Sequence, residues 1–176
     1  MHPPLVVVMG VSGCGKSTVG QALASALGVE FIEGDHFHPP RNVELMATGV
    51  ALTDADREGW LRLLAQQIAT ARSEGRGLVL SASALKRAYR DLLRGPGGEL
   101  RFVHLHGARE VLARRMAART GHYMPATLLG SQLATLEPPG ADENAVSFDV
   151  EVPAPLIVRD ALAWMGAPSA QTTARP

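Results

Sequence analysis

Eight residues near the amino terminus combine glycines, a lysine and a serine at a spacing that suits phosphate binding. Residues 10–17 read GVSGCGKS and fit the pattern G-x-x-x-x-G-K-[ST] at every fixed position. Small residues let backbone N–H groups turn inward around a phosphate, while the lysine can reach the outer phosphates and the final hydroxyl can bind Mg²⁺. The alternative is a glycine-rich turn without a ligand. The residues expected to bind ATP here are Gly10, Val11, Ser12, Gly13, Cys14, Gly15, Lys16, Ser17 and Thr18.

The residues on either side of this loop predict a strand before it and a helix after it. Residues 5–9 form a short apolar run, and apolar residues recur at helical spacing from Val19 to Leu27. Gly28 then supplies a helix stop. The loop is therefore expected to end at a helix N-terminus, where free N–H groups and the helix dipole favour an anion.

A second lysine is notable because the chain strongly prefers arginine. Among the 17 basic residues, only Lys16 and Lys86 are lysines. Where such a chain keeps a lysine, a compact and rotatable ammonium group can be the reason. Lys86 is therefore a candidate phosphate or substrate contact, and an ordinary surface lysine is the alternative.

The remaining elements alternate between strands and helices. Strands are expected at residues 5–9, 29–32, 78–80, 101–105 and 146–150. A long helix should begin after Thr53 as its N-cap, and Ser83 could cap a helix over residues 84–93. Such alternation predicts an α/β fold with a five-stranded parallel sheet and helices on both faces. His104 and His106 share one strand face, where a packed or strand-end role is favoured over metal binding.

An arginine-rich helix over residues 108–119 is followed by a break and a second short helix over residues 126–136. Two helices joined by such a hinge suit a small helical lid, at about residues 119–136, that closes on nucleotide phosphates. We expect Arg115 and Arg119 to contact ATP from this lid. A solvated helix face is the alternative.

Composition limits the class of protein. A chain of 176 residues with 46% hydrophobic content suits one domain, expected at residues 1–166 with a disordered tail at residues 167–176. A formal net charge of zero gives no sign of a nucleic-acid or membrane partner. Cys14 is the single cysteine, so no internal disulfide can form, and no secretory or membrane-spanning segment is recognisable. These features predict a cytoplasmic protein.

The loop and the chain length favour a small-molecule kinase, because the guanine-recognition string N-K-x-D is absent. The acceptor should lie at the carboxyl ends of the strands, near Asp35, Arg57 and residues 86–90. Three further motifs then resemble the P-loop gluconokinases, small relatives of shikimate kinase. These motifs are Gly34-Asp35-x-x-His38-Pro39-x-x-Asn42, Leu52-x-Asp54-x-Asp56-Arg57-x-x-Trp60 and Ser83-Ala84-Leu85-Lys86-x-x-Tyr89-Arg90.

The resemblance continues through Arg119-x-Gly121-His122-Tyr123 and Gln132-x-x-Thr135-Leu136-Glu137 and covers roughly residues 6–150. It implies a three-layer P-loop kinase fold and an enzyme that makes 6-phosphogluconate from D-gluconate and ATP, usually as a homodimer. The chain departs from the family pattern in the lid, at residues 123–125 and at Leu133. At the end of the third strand, Ser81-Ala82-Ser83 stands where many P-loop proteins have an aspartate for Mg²⁺.

The expected site combines catalytic, substrate and metal residues. Lys16 should neutralise charge on the transferring group, and Asp35 should orient the attacking 6-hydroxyl and accept its proton. Ser17 should bind Mg²⁺, with Asp35 as a further contact through water. The residues expected to bind gluconate are Asp35, His38, Arg57, Lys86, Arg90 and His122.

Three alternatives remain open at this stage. A shikimate-type or nucleoside monophosphate kinase would share the fold and the loop but use another acceptor. A non-catalytic, nucleotide-dependent regulator would bind ATP without phosphoryl transfer. Within the site, Asp35 and Arg57 could form a structural ion pair instead of binding substrate.

Overall fold

The computed structural model of the chain describes residues 2–96, 98–119 and 125–166. These residues contain a five-stranded sheet in the order β2-β3-β1-β4-β5, and every neighbouring pair of strands is parallel. The predicted parallel α/β sheet is therefore confirmed. The strands are β1 (Leu5–Met9), β2 (Glu30–Glu33), β3 (Leu78–Ser81), β4 (Arg101–His106) and β5 (Ala145–Asp149).

Helices cover both faces of the sheet. They are α1 (Lys16–Leu27), α2 (Pro40–Ala47), α3 (Asp54–Ser73), α4 (Arg87–Arg94), α5 (Arg109–Ala118), α6 (Leu128–Thr135) and α7 (Ala154–Gly166). Alternate residues of β1 point to opposite layers: Val6 and Val8 pack with α1, α5 and α7, whereas Val7 packs with α3 and α4. The central strand is thus buried on both faces.

The long helix α3 begins where the sequence predicts it. Thr53 is its N-cap, and the Thr53 hydroxyl accepts the Asp56 N–H while the Asp56 carboxylate accepts the Thr53 N–H. Two satisfied N–H groups fix the first turn of the helix. This turn carries Asp54 and Arg57 to the carboxyl edge of the sheet.

The start of α4 differs from the prediction. Ser83 does not cap a helix, because Ala84 has a left-handed φ of 44° and the chain stays non-helical until Arg87. The Arg87 N–H instead donates to the Glu137 carboxylate at 2.7 Å. The first turn of α4 is therefore capped by a side chain that lies 50 residues away in sequence. Patterns of neighbouring residues cannot predict such a distant cap.

Arg90, expected to bind substrate, lies inside the protein. Its guanidinium is fully buried and pairs with Glu143, with Nε–Oε1 at 2.7 Å and Nη2–Oε2 at 3.0 Å. Its Nη1 donates to the carbonyl oxygens of Ala84 and Leu85. Every nitrogen of the guanidinium is used, so this geometry does not support a substrate contact. The prediction that Arg90 binds substrate is therefore wrong. Arg90 has a structural role, because its ion pair joins α4 to the segment before β5.

Two other expectations fall outside the structural description. These are the predicted tail and the lid hinge at residues 120–124, which includes His122. The single-domain organisation also stays a prediction. Within the described ranges, no helix combines the length and apolar character needed to cross a bilayer.

The first prediction tests the buried ion pair. Arg90→Met should lower the free energy of unfolding by about 3–5 kcal/mol, because it leaves the Glu143 carboxylate buried without its cation. The double variant Arg90→Met, Glu143→Leu should recover much of that loss. Urea unfolding of the two variants and the parent measures both effects. A loss below about 1 kcal/mol in the single variant would contradict the structural role.

The second prediction concerns His104, which is 3% exposed. Its Nδ1 atom lies 3.2 Å from the Ser147 hydroxyl oxygen. Burial, and secondarily the charges of His106 and Arg90, lower the His104 pKa from 6.5 to about 4. The unfolded chain therefore takes up a proton that the folded chain does not, and the free energy of unfolding should fall as pH drops from 6.5 to 4.

His104→Leu should flatten this pH dependence, because the ring whose pKa differs between the folded and the unfolded chain is gone. His106→Leu is the matched control, since His106 lies on the same strand face but is exposed. Unfolding free energies measured at several pH values between 6.5 and 4 provide the comparison. Equal slopes in the parent and in His104→Leu would refute the prediction.

Candidate active site

The phosphate-binding loop connects β1 to α1 and is packed tightly against β4. Gly10 has a φ of 146°, and a Cβ atom at this position would lie 2.5 Å from the Leu105 carbonyl oxygen. The side chains of Val11 and Cys14 belong to the apolar core. The loop therefore presents its backbone to the cleft, while its apolar side chains anchor it from below.

Two contacts position the rest of the loop. The Lys16 ammonium donates to the Val11 carbonyl oxygen at 3.1 Å, which folds the side chain back over the loop. The Ser12 N–H donates to the Gln132 side-chain oxygen at 2.7 Å. Gln132 belongs to α6, in the predicted lid segment, so this buried bond joins the lid helix directly to the loop.

A cavity of about 230 Å³ opens at the loop. It lies at the N-terminus of α1, where free N–H groups favour phosphate. Two arginines line its wall: Arg115 of α5, which also donates to the Val150 carbonyl oxygen at 2.6 Å, and Arg119, the C-cap of that helix. The lining residues are Ser12, Gly13, Gly15, Lys16, Ser17, Thr18, Glu33, Asp35, Arg115 and Arg119.

Glu33 is a site residue to which sequence analysis gave no role. Its carboxylate bridges two hydroxyls: the Ser17 hydroxyl donates to Oε2, and the Ser81 hydroxyl donates to Oε1 at 2.5 Å. Gly34 follows at a point where a Cβ atom would lie 2.1 Å from the Ser81 carbonyl oxygen, so only glycine fits between Glu33 and Asp35. The only signal in the sequence was a carboxylate at a strand end, two residues before Asp35.

A second, narrower cavity adjoins the first. Both cavities are lined by Ser12, Lys16 and Asp35, which therefore mark the junction between them. The second cavity also contains Arg57, His38 and Ser83 from three different loops or helices. A phosphate held by the loop and an acceptor held in the second cavity would meet beside Lys16 and Asp35.

His38 forms one wall of the second cavity. Its ring stacks on Trp60 with centroids 4.2 Å apart, and the Trp60 Nε1–H donates to the Gly34 carbonyl oxygen at 2.8 Å. Burial lowers the His38 pKa from 6.5 to about 4, so the ring is neutral at pH 7. Asn42 Nδ2, which can only donate, lies 3.4 Å from Nδ1, an arrangement that leaves the proton on Nε2. Trp60 is 1% exposed and packs in the core.

Arg57 and Asp35 do not form the alternative structural ion pair. Among the described residues, no carboxylate lies within 4.0 Å of the Arg57 guanidinium, and no cation lies within that distance of Asp35. Arg57 Nη1 instead donates to the Tyr89 hydroxyl at 3.1 Å. Both charged side chains are thus available to a ligand in the cavity.

Lys86 lies further out than expected. Its ammonium pairs with the Asp54 carboxylate at 3.0 and 3.2 Å, and it does not line either cavity. A larger cavity, of about 300 Å³, lies at the opposite edge of the sheet between the starts of β1 and β4. It has no phosphate-binding loop and none of the expected site residues, so size alone does not locate the active site.

Comparisons with known proteins agree with this geometry. Residues 5–139 match a family model described as "AAA domain". The gluconokinase of Gluconobacter oxydans is 52% identical over 151 residues, which cover 86% of this chain and 85% of that protein. The thermoresistant gluconokinase of Escherichia coli is 41% identical over 150 residues, covering 85% and 86%.

Solved structures give the same result. A gluconokinase from Sinorhizobium meliloti 1021 has a TM-score of 0.83 and 52% identity, covering 93% of this chain and 92% of that one. A shikimate kinase from Bacteroides thetaiotaomicron, at 20% identity and a TM-score of 0.66 over 93% and 99% of the two chains, shares the fold alone. The relatives at 41% to 52% identity match 85% or more of the chain, and the chain therefore belongs to the gluconokinases.

Proposed function

We propose that this chain transfers the γ-phosphoryl group of ATP to the 6-hydroxyl of D-gluconate, giving 6-phospho-D-gluconate and ADP. The observation that carries the proposal is the pair of adjoining cavities that share Lys16 and Asp35. One cavity has the loop and arginines that suit a nucleoside triphosphate. The other has polar groups and the Arg57 guanidinium, which has no carboxylate partner among the described residues, and these suit a polyhydroxy acid. Relatives named as gluconokinases support the choice of acceptor.

Lys16 and Asp35, which lie at the junction, have different tasks in the transfer. The acceptor oxygen forms a bond to the γ-phosphorus as the bond from that phosphorus to the β–γ bridging oxygen breaks, and ADP leaves. Asp35 orients the hydroxyl and takes its proton, while Lys16 offsets charge on the transferring group. In a loose transition state, positioning and charge neutralisation matter more than the basicity of Asp35.

The second cavity suits a carboxylic acid with several hydroxyls. The Arg57 guanidinium offers a planar fork for a carboxylate and has no carboxylate partner of its own among the described residues. The neutral His38 ring offers an N–H to a hydroxyl oxygen. An acceptor without a carboxylate would leave the Arg57 charge without its partner, which weakens binding.

The oxygen atoms at the strand ends fit Mg²⁺. Ser17, Glu33 and Asp35 supply a hydroxyl and two carboxylates beside the phosphate-binding loop, and these hard oxygen ligands suit that ion. In proteins Mg²⁺ usually keeps several water ligands and is bound by one or two carboxylates together with substrate phosphates. When bound, Mg²⁺ neutralises phosphate charge; Glu33 keeps the Ser17 hydroxyl oriented for it.

Two finer expectations from the sequence stay predictions. The family resemblance is the support for a homodimer. The second is a cytoplasmic location.

The third prediction tests the reaction. With Mg²⁺ and ATP, kcat/KM for D-gluconate should exceed that for glucose, shikimate or AMP at least tenfold in a coupled ADP-release assay. Glucose lacks a carboxylate for Arg57, and the other two carry their anionic group at a different distance from the acceptor oxygen. An equal rate with one of these acceptors would favour the shikimate-type or nucleotide kinase. ATP binding without any phosphoryl transfer would favour the regulator.

Lys16→Ala is the control for this assay. The variant should lose turnover with little change in melting temperature, because Lys16 lies in the loop and not in the core. Turnover near the parent value would contradict the role of the loop.

The fourth prediction separates the two carboxylates of the Glu-Gly-Asp segment. Asp35→Asn should lower kcat by several orders of magnitude at every Mg²⁺ concentration, because the group that aims the hydroxyl is lost. Glu33→Gln should raise the Mg²⁺ concentration needed for half-maximal rate, and excess Mg²⁺ should restore much of kcat. Mg²⁺ titrations of both variants decide the matter. A loss in Glu33→Gln that Mg²⁺ cannot repair would exclude the metal role.

A further inference from the structure

Arg57 is held from outside the acceptor cavity by three residues, Tyr89, Asp54 and Lys86, which we call the Arg57 support network. Arg57 and Asp54 lie on the first turns of α3, whereas Tyr89 lies on α4 and Lys86 is its N-cap. Only Arg57 lines the cavity. The other three residues would not be recognised as site residues from their place in the fold.

The hydrogen bonds of the Arg57 support network all lead to the Asp54 carboxylate, which only accepts. The Tyr89 hydroxyl has a single proton, which it donates to Asp54 Oδ1, so its oxygen is left to accept from Arg57 Nη1 at 3.1 Å. Lys86 donates to both Asp54 oxygens at 3.0 and 3.2 Å. The Arg57 guanidinium also lies 5.6 Å from the centre of the Tyr89 ring. These contacts restrict a side chain that otherwise has many rotamers.

Charge is distributed so that Arg57 stays available. Asp54 forms its ion pair with Lys86, and Arg57 reaches Asp54 only through the neutral Tyr89 hydroxyl. The hydrogen bond from Tyr89 and the contact with Lys86 lower the Asp54 pKa, so this carboxylate is ionised at pH 7 and fixes the direction of the hydroxyl. Burial raises the Tyr89 pKa, which keeps that hydroxyl protonated. Arg57 is therefore supported without being neutralised.

We propose that Tyr89 and Asp54 are positioning residues that fix the Arg57 guanidinium toward the acceptor and so determine the preference for an acid. The inference rests on the proposed function, because it assigns Arg57 to the carboxylate of the acceptor. Lys86, a candidate substrate contact by sequence, acts through Asp54 instead. A cation fixed in place before binding loses less conformational entropy when the acid arrives.

The test compares Tyr89→Phe, Arg57→Ala and the double variant. Tyr89→Phe keeps the ring but removes the bridging hydroxyl, so KM for D-gluconate and its calorimetric Kd should rise about fivefold. The kcat value, KM for ATP and melting temperature should stay near those of the parent. In the Arg57→Ala background, Tyr89→Phe should have almost no further effect, because it acts through Arg57.

Asp54 is tested by a pair of variants. Asp54→Ala should raise KM for gluconate, and Asp54→Asn should restore part of the loss because it keeps an oxygen for the Tyr89 hydroxyl. Arg62→Gln is the matched control: Arg62 lies on the same helix, pairs with Glu58 and is 70% exposed. This variant should leave every constant unchanged.

Two results would overturn the inference. Additive effects of Tyr89→Phe and Arg57→Ala would show that the residues act independently. A Tyr89→Phe variant that loses melting temperature, kcat and ATP affinity together would show a purely structural role. Failure of the proposed function is distinguishable, since it appears in the parent enzyme as lack of turnover with gluconate. The same cycle on whichever acid the acceptor assay identifies would then decide the inference.

Discussion

The site depends on the close packing of the phosphate-binding loop against the central strands. Gly10 turns the chain beside the Leu105 carbonyl oxygen, where no larger residue fits. The buried side chains of Val11 and Cys14 hold the turn in the core, so the backbone faces the cleft. Because the neighbouring strands are parallel, Glu33 and Ser81 end at the same edge and meet Ser17 there. The position of every other site residue follows from this edge.

Local patterns predicted the parts of the fold that local physics determines. The apolar strand β1, the Thr53 N-cap of α3 and the Gly28 stop of α1 were all predicted, because each depends on residues close together in sequence. The boundaries of β2 and β4 moved by only one residue. The loop motif likewise indicated the nucleotide cavity, because its chemistry lies in consecutive residues.

The remaining features depend on partners distant in sequence. The bond of Ser81 to Glu33 spans 48 residues, and that of the Ser12 N–H to Gln132 spans 120 residues. A single sequence shows that a carboxylate or an amide exists but not which hydroxyl or N–H it meets. The start of α4 was misplaced for the same reason, since Glu137 and Arg90 together stabilise the non-helical residues before it.

Arg57 and Arg90 show how such partners decide the role of a residue. Both arginines were candidates for the substrate carboxylate, and residue type alone could not separate them. Arg90 forms a bidentate pair with the Glu143 carboxylate, and both side chains are buried. The same carboxylate also accepts the Gly140 N–H. Arg57 instead donates to the Tyr89 hydroxyl, which donates to Asp54, and that carboxylate is paired with Lys86 at an exposed position. A cation that is held by a neutral hydroxyl can still attract an anionic ligand. A cation that is paired with a buried carboxylate is already neutralised and stabilises the fold instead.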